Sequence, residues 1–175
     1  SRTIFTSSDG NLWTKSTSGT SGYLYGVTYG NGLFVTVGGY DNEIIFTSSD
    51  GTSWTQRTFG RLRSLNGITY GNGLFVTVCR GSILTSPDGI SWTKKTPRDE
   101  VYTGKYSSMF LMGITYGNGL FVAVGNSGGT PPSLLTSPDG NTWTDIISGT
   151  PMHLNGITYG NGLFVTVGRS GTILT

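Results

Sequence analysis

The chain has 175 residues, a net charge of +2 and only 11% charged residues, and it is rich in Gly, Ser and Thr. This length predicts one domain, 1–175, and the 11 basic residues scattered among 9 acidic ones argue against nucleic-acid binding, which needs clustered Lys and Arg. No apolar run approaches the roughly 20 residues that cross a bilayer, and a single Cys79 excludes an intrachain disulfide.

The first predicted elements are two short strands joined by a turn. The sequence Thr-Ile-Phe-Thr at residues 3–6 predicts the first strand, and the polar residues 13–17 predict the second. Between them lies Ser-Ser-Asp-Gly, a turn sequence that occurs again in related form three times further along the chain.

The repeat at residues 65–96 shows the pattern most clearly. Residues 65–70 alternate apolar and polar side chains and predict a strand, and Asn72-Gly73 predicts a tight hairpin turn. Residues 74–78 are rich in β-branched and aromatic side chains and predict a buried second strand, followed by a third at 82–85. After Ser-Pro-Asp-Gly, the polar segment 92–96 carries adjacent lysines, which is typical of an exposed edge strand.

Four near-identical copies of Gly-Ile-Thr-Tyr-Gly-Asn-Gly-Leu-Phe-Val-Thr-Val place a tyrosine at Tyr29, Tyr70, Tyr116 and Tyr159. A repeat of about 40 residues built from short strands predicts an all-β propeller, in which each repeat is one four-stranded antiparallel blade. We label the strands of a blade A to D from the central channel outward. The predicted repeats are 18–58, 59–96, 97–147, and 148–175 together with 1–17.

One C strand is surplus in this scheme, because residues 3–6 and 172–175 are equivalent. Either four blades close into a ring with one strand left over, or the chain is a segment of a larger ring. In the second case the ring is completed by further sequence or by further copies, so we expect a homo-oligomer or an extension of a longer chain. The chain carries no signal-peptide pattern and does not begin with Met, which suggests a processed or excised piece.

The predicted C–D turns share the motif Ser-x-Asp-Gly-x-x-Trp-Thr. It resembles the Asp-box of sialidase-type (BNR) repeats, although it is one residue shorter, with Gly directly after Asp. The resemblance covers essentially the whole chain as an array and implies a β-propeller. An Asp in such a turn accepts hydrogen bonds from the following N–H groups, and the Trp packs on the sheet. We therefore predict that eight residues maintain the fold: Asp9, Trp13, Asp50, Trp54, Asp88, Trp92, Asp139 and Trp143.

The resemblance also raises glycoside hydrolysis, which the sequence does not favour. Similar sialidases clamp the substrate carboxylate with three arginines and use a Tyr–Glu nucleophile and an acid/base Asp. Glycoside hydrolysis generally needs two carboxylates at a fixed separation, and no convergent pair is evident among the five acids outside the turns: Asp41, Glu43, Asp99, Glu100 and Asp145. We expect no catalytic residue and no cofactor.

A metal site is not predicted either, because His153 is the only histidine and has no Cys partner in sequence. Cys79 stands where the other copies have glycine, at Gly38, Gly125 and Gly168. We interpret it as a small buried substitute rather than a nucleophile.

The four copies differ at one predicted end only. The A–B and C–D turns are nearly constant, whereas the D–A and B–C connections vary. The variable D–A segments are 18–23, 59–64, 97–110 and 148–153, and the variable B–C segments are 39–43, 80–82, 126–133 and 169–171. Loops on a rigid scaffold concentrate binding residues, although surface loops also simply diverge.

Equivalent positions at the start of strand A would ring the mouth of the channel. The first set is Tyr23, Ser64, Phe110 and His153; the second is Tyr25, Asn66, Met112 and Asn155. Aromatic and amide side chains suit a site for a sugar or small polar ligand, and the alternative for Tyr25, Phe110 and Met112 is core packing. The equivalent Arg80 and Arg169 could pair with an acidic partner or face solvent.

From these positions we predict a non-enzymatic recognition module, lectin-like or adhesive, that binds a glycan or a surface partner. The low-charge surface rich in Thr, Gly and Ser favours an extracellular, virion or cell-surface location, with neither nucleic acid nor membrane insertion. The alternative is a scaffold that contacts another protein through the charged, tyrosine-containing insertion 97–110. A sialidase-like hydrolase ranks third.

Overall fold

The computed structural model describes residues 3–17, 22–40, 43–57, 59–60, 64–95, 109–126 and 134–175. Within those ranges every regular element is a β-strand, apart from one turn of 3-10 helix at Arg169–Gly171. The predicted all-β fold is therefore confirmed.

The strands form five antiparallel sheets in chain order. The N-terminal pair is β1 (Thr3–Thr6) and β2 (Thr14–Thr17). Blade 1 contains β3 (Leu24–Gly30), β4 (Leu33–Gly39), β5 (Glu43–Ser48) and β6 (Thr55–Arg57). Blade 2 contains β7 (Leu65–Gly71), β8 (Leu74–Cys79), β9 (Ser82–Ser86) and β10 (Thr93–Lys95). Blade 3 contains β11 (Phe110–Gly117), β12 (Leu120–Asn126), β13 (Leu134–Ser137) and β14 (Thr144–Asp145). Blade 4 contains β15 (Leu154–Gly160), β16 (Leu163–Gly168) and β17 (Ile173–Leu174).

This order matches the predicted one: strands C and D, three complete A-to-D sets, then A, B and C. Several strand ends differ from the predicted ones by one residue. The outer strand of blade 2 begins at Thr93 rather than at Trp92, because the Trp92 indole Nε1 donates to the carbonyl of Gly89 at 3.1 Å and so belongs to the turn. At the ends of the chain, β2 pairs with β1 and β17 pairs with β16.

The A–B hairpins form where the Asn-Gly pairs predicted them. Asn31 and Gly32 have φ of 45° and 75°, and the other three pairs repeat these values closely. Two successive residues with positive φ make a type I′ turn, whose twist matches that of the flanking strands.

Strand register places the constant and the variable connections at opposite ends of each blade. In blade 1, Phe34 at the start of β4 pairs with Ser48 at the end of β5, next to the Asp-containing turn. At the other end of β4, Gly38 pairs with both Leu24 and Ile44, where the D–A and B–C connections enter. The A–B and C–D turns therefore share one end, as predicted.

The blades stack face to face, with their A strands side by side in the order β3, β7, β11, β15. The core lies between blades rather than within them. One cluster joins Val35, Val37 and Ile45 of blade 1 to residues of blade 2 that include Leu65 and Phe75. A second cluster joins blades 2 and 3 in the same way. Each sheet thus buries a face that it could not bury alone.

Candidate functional site

The four Asp-containing turns at the constant end share one hydrogen-bond pattern. In blade 2, Asp88 Oδ1 accepts from the backbone N–H of Ile90 at 2.8 Å and of Ser91 at 2.7 Å. Ser86 Oγ donates to the same oxygen at 2.9 Å and accepts from the Gly89 N–H at 2.8 Å. The other three turns repeat these contacts around Asp9, Asp50 and Asp139. The carboxylates are therefore occupied in holding their own turns.

These hydrogen bonds lower the pKa of all four turn aspartates. The largest cause in each case is the N–H three residues further on, and the next backbone cause is the N–H two residues further on. The pKa of Asp88 falls from its ordinary value of 3.8 to about 2. Because a hydrogen bond to the charged form favours that form, the turns are held more tightly by carboxylates than by carboxylic acids.

The lowered pKa values predict a loss of stability in acid. Their contribution to the free energy of unfolding is complete above the ordinary pKa and is lost as the pH falls through the folded-state pKa. The melting temperature should therefore be flat near neutral pH and fall between about pH 4 and pH 2, which calorimetry across a buffer series would measure. Asp88→Asn should shrink this fall, because the amide oxygen still accepts but does not titrate. A melting temperature that is unchanged down to pH 2 would contradict the prediction.

The four tryptophans that follow the turns lie in different environments. Trp92 and Trp143 are buried, Trp54 is half-buried, and Trp13 is exposed. Each indole Nε1 donates to the carbonyl of the turn glycine three residues earlier. The local contact is thus constant, and the burial depends on whether a neighbouring blade covers the ring.

At the variable end of blade 1 three exposed tyrosines form a cluster. Tyr23 and Tyr25 stack with ring centroids 6.0 Å apart and planes 6° from parallel. Tyr40 lies 6.1 Å from Tyr23 at an angle of 51°. All three rings are exposed. We call Tyr23, Tyr25 and Tyr40 the tyrosine cluster.

Tyr40 is the residue that sequence reasoning missed. It lies in the variable segment 39–43, directly after β4, and the repeat comparison treated that segment only as a loop. The position of Tyr40 in the repeat could have indicated it. Tyr40 follows the last residue of strand B, and strands A and B pair with each other at this end. An exposed aromatic in that position therefore lies beside the start of strand A.

Asn66 of blade 2 is equivalent to Tyr25 of blade 1, and its side chain bridges to the next blade. Its Nδ2 donates to the carbonyl of Leu111 in blade 3 at 2.7 Å and lies 3.8 Å from the sulfur of Met112. Ser64 Oγ lies 3.4 Å from Asn66 Oδ1 and donates to the carbonyl of Gly39 in blade 1 at 3.0 Å. These side chains connect neighbouring blades at the variable end.

Arg80 and Phe110 meet across the boundary between blades 2 and 3. The Arg80 guanidinium carbon lies 4.3 Å from the centroid of the Phe110 ring, which is cation–π distance. The backbones of the two residues also form a β-bridge. Arg80 therefore contacts an aromatic ring, and the acidic partner considered from the sequence stays a prediction.

In blade 4 the predicted site residues His153, Asn155 and Arg169 lie at one corner of the sheet. The backbone N–H of Arg169 donates to the carbonyl of His153 at 2.9 Å. His153 is half-buried, whereas Asn155 and Arg169 are exposed. The structure thus places each predicted mouth residue at the variable end, but only blade 1 combines three aromatic rings there among the residues that the structure describes.

Cys79 is buried, and its Sγ lies 3.3 Å from the carbonyl of Ser82. Burial raises the pKa of the Cys79 thiol to about 11. A thiol that stays protonated at neutral pH is a poor nucleophile, in agreement with its interpretation as a small core residue.

Among the described residues, the carboxylates outside the turns are Glu43 and Asp145. Glu43 is buried and accepts from the N–H of Gly60 at 2.7 Å. In the ranges that the structure covers, no three His, Cys, Asp or Glu side chains group as a metal site would require. Asp41, Asp99, Glu100 and most of the insertion 97–110 lie outside the described residues, as do most of segments 18–23 and 126–133. None of the described helical segments is long and apolar enough to span a membrane.

Neither a family model nor a curated protein matches the sequence. Solved structures do match the fold. A catalytically inactive virginiamycin B lyase from Staphylococcus aureus has a TM-score of 0.75 at 15% identity, covering 98% of this chain and 61% of that one. The computationally designed Ika4 protein has a TM-score of 0.66 at 12% identity, covering 91% and 93%. The WD40 propeller domain of Doa1 has a TM-score of 0.63 at 11% identity, covering 98% and 56%.

The sheets and these neighbours define the class: the chain is built of β-propeller blades. It spans about three fifths of the matched lyase and a little over half of the matched Doa1 chain. Glycoside hydrolases are also among the structures that it resembles, with a TM-score of 0.53 for one from Bacteroides ovatus. The likeness to a lyase, to glycoside hydrolases and to a WD40 domain shows a shared fold and leaves the activity open.

Proposed function

We propose that this protein is a non-enzymatic recognition module that binds a glycan at the variable end, with the tyrosine cluster as its principal contact. The observation that carries the proposal is the grouping of three exposed tyrosine rings from the start of strand A and the end of strand B, two of them stacked in parallel.

The chemistry of the cluster suits a sugar. One face of a pyranose ring presents C–H groups, which pack against the flat apolar face of an aromatic ring. The phenol hydroxyl groups at the edge can exchange hydrogen bonds with the sugar hydroxyls. Tyrosine also has few rotatable bonds, so holding it in a binding surface costs little conformational entropy.

The position of the cluster supports the same interpretation. Tyr23 and Tyr25 lie at the start of β3 and Tyr40 directly after β4, and these two strands are paired. The rings therefore project from the ends of a regular sheet, and in the other blades the described parts of the variable segments lie at the same end. A rigid scaffold that carries divergent loops is a common basis of recognition.

The absence of enzymatic activity is part of the proposal. The four turn carboxylates accept hydrogen bonds from their own backbone, and Glu43 accepts one from Gly60. A fluorogenic sialoside should give no turnover with the protein, and hydrolysis above the uncatalysed rate would contradict this part. A glycan-binding role at a virion, cell or extracellular surface agrees with the low charge of the chain.

A glycan array followed by titration calorimetry tests the proposal. Tyr25→Ala and Tyr40→Ala should each weaken binding of the array ligand by about tenfold or more, equal to about 1.4 kcal/mol. Tyr40→Phe keeps the ring face and should retain most of the affinity. Ile90→Ala, which changes an exposed apolar residue at the constant end, is the matched control and should bind as the wild type does.

An empty array together with no binding to whole cells would contradict the proposal. Cell binding that resists glycosidase treatment but is lost after protease treatment would instead identify a protein partner. That result would favour the scaffold alternative, for which exposed tyrosines are equally suitable.

A further inference from the structure

We propose that two copies of this chain pair head to tail, with the open face of blade 4 in one copy seated on the open face of blade 1 in the other. The two faces are the halves of an interface that the chain already forms between its own blades. The pairing does not require sugar binding, but Tyr25 of the tyrosine cluster lines the cleft that the second copy would fill. Tyr40 does not line that cleft, so Tyr40→Ala separates loss of sugar binding from loss of pairing.

The first observation is a tyrosine–glycine contact that repeats from blade to blade. A Cβ added to Gly30 would lie 2.1 Å from the ring of Tyr70 in blade 2. The same distance separates Gly71 from Tyr116, and Gly117 from Tyr159. Each tyrosine ring therefore lies directly on the glycine of the preceding blade, in a place that only a residue without a side chain leaves free.

The two ends of the chain carry the unused halves of this contact. Tyr29 of blade 1 is 58% exposed, and a Cβ added to Gly160 of blade 4 would meet no atom of the described residues within 4 Å. A second copy would supply the missing partner on each side, since its Tyr29 can lie on Gly160 as Tyr70 lies on Gly30.

The A strands show the same pattern nearer the variable end. Gly26 approaches the backbone of Ile68, and Gly113 approaches the backbone of Gly156 in the next blade. Among the residues that the structure describes, Gly156 itself is approached only by Val167 of its own blade. Correspondingly, Ile68 is 8% exposed, whereas Val27, its equivalent in blade 1, is 64% exposed.

The outer part of blade 4 is left uncovered as well. Val78 and Ile83, which face blade 3, are fully buried, whereas their equivalents Val167 and Ile173 are 47% and 67% exposed. Strands A and B of blade 2 differ in sequence from those of blade 4 only at Cys79, where blade 4 has Gly168. The same strands thus present a buried face in blade 2 and an open face in blade 4. Burial of such apolar area is the main favourable term in association.

The polar groups on the open face of blade 4 are complementary to those on the open face of blade 1. Asn66 donates from blade 2 to the carbonyl of Leu111 in blade 3 at 2.7 Å. Asn155 is the equivalent of Asn66, and Leu24 is the equivalent of Leu111. In the proposed pair, Asn155 donates to the carbonyl of Leu24 in the second copy, so the interface repeats a hydrogen bond that the chain already uses.

Space for the incoming strands exists beside blade 1. A cleft of about 550 Å³ separates the β1–β2 pair from blade 1, and its walls include Ile4, Trp13, Tyr25, Val27, Phe34 and Trp54. The β1–β2 pair supplies strands C and D, so the cleft lies where strands A and B of the same blade would be. Strands β15 and β16 of the second copy are the A and B strands that fit there.

This arrangement also accounts for the surplus C strand. Both β1 and β17 would occupy the C position of the shared blade. β1 pairs with the D strand β2 through four residue pairs. Because β1 brings this D strand with it, β1 takes the position and β17 gives way.

A second copy fits better than closure of one chain on itself. The open faces lie at opposite ends of the stack β3, β7, β11, β15. The chain also covers 61% of the lyase chain and 56% of the Doa1 chain, so it corresponds to a part of each of those structures and not to a whole ring.

Light scattering on the 175-residue chain, across a wide range of concentration, tests the pairing. The wild type should show twice the chain mass. Gly160→Phe should give the mass of one chain with an unchanged circular dichroism spectrum, because the new ring occupies open space within a copy but the place of Tyr29 between copies. Tyr29→Ala should weaken the affinity of the two copies for each other by at least tenfold. Ile147→Ala truncates an exposed apolar residue between β14 and β15 and should leave the pair intact.

Mixing the two single variants tests the head-to-tail geometry. In the mixed pair, one contact joins the native Tyr29 of the first variant to the native Gly160 of the second. The other contact places the phenyl ring introduced by Gly160→Phe opposite the side chain truncated by Tyr29→Ala, where space has been created. An equimolar mixture of the two variants should therefore recover the doubled mass.

Four results would each overturn the proposal. They are a wild-type mass of one chain, a mass above two chains, a pair that is insensitive to Gly160→Phe, and a mixture of the two variants that fails to associate.

Discussion

Replacing Trp92 with alanine is expected to lower the free energy of unfolding by about 3–5 kcal/mol, the usual cost of truncating a buried aromatic residue. The Trp92 ring is 8% exposed and belongs to the cluster that joins blades 1 and 2, together with Val37 and Leu84. A domain of this size has a total stability of about 5–15 kcal/mol, so this single change removes a large part of it. Urea unfolding followed by circular dichroism would measure the loss.

Trp13→Ala provides a matched control within the same chain. Trp13 makes the same indole hydrogen bond to its turn glycine, at 3.0 Å, but its ring is 59% exposed. In the Gly160→Phe background, where association makes no contribution, this substitution should cost less than about 1 kcal/mol. Equal losses at the two positions would show that the indole acts through the turn rather than through burial between blades.

The second large effect is expected at the glycines beneath the tyrosine rings. Gly71→Ala would place a Cβ 2.1 Å from Cγ of Tyr116 and 2.6 Å from its Cβ, so blade 3 must shift away from blade 2. Overpacking of this kind costs about 1–3 kcal/mol and can cost more where backbone has to move. Thermal unfolding of Gly71→Ala and of the equivalent Gly117→Ala should show the same large decrease in melting temperature.

Gly160→Ala is the control, because it changes the same Tyr-Gly-Asn-Gly sequence at a position where the added Cβ meets no atom of the described part of the chain within 4 Å. Alanine reduces the freedom of the unfolded chain, so this variant should be as stable as the wild type or slightly more so. The comparison requires the dilute, unassociated protein. A loss as large as that of Gly71→Ala would mean that the glycine is needed for its own backbone rather than for the approach of the tyrosine.

The fold could be predicted from short-range patterns. Alternation over residues 65–70 predicted β7, and the Asn-Gly pairs predicted hairpins that the structure builds with positive φ. Both signals act within a few residues of each other. The boundary of β10 was placed one residue early, because the sequence pattern does not show that the Trp92 indole bonds back to its turn.

The candidate site was predictable in position but not in detail. Comparison of the copies indicated the variable end, and Tyr23 and Tyr25 were named from it. The third ring, Tyr40, comes from another connection and lies next to Tyr23 only after β3 and β4 pair. The hydrogen bond from Asn66 to Leu111 links residues 45 positions apart, a relation that no local pattern contains.

The sequence by itself determined the repeat, the strands, the turns and the end at which the copies diverge, because each of these depends on the residue types within one blade. Tertiary structure alone decided the burial of equivalent residues. Tyr29 and Tyr70 lie in almost the same local sequence, yet Tyr70 lies on Gly30 of the preceding blade and Tyr29 is exposed. Apolar burial in a stacked array depends on the neighbouring blade, and which blade has a neighbour is a property of the assembled molecule.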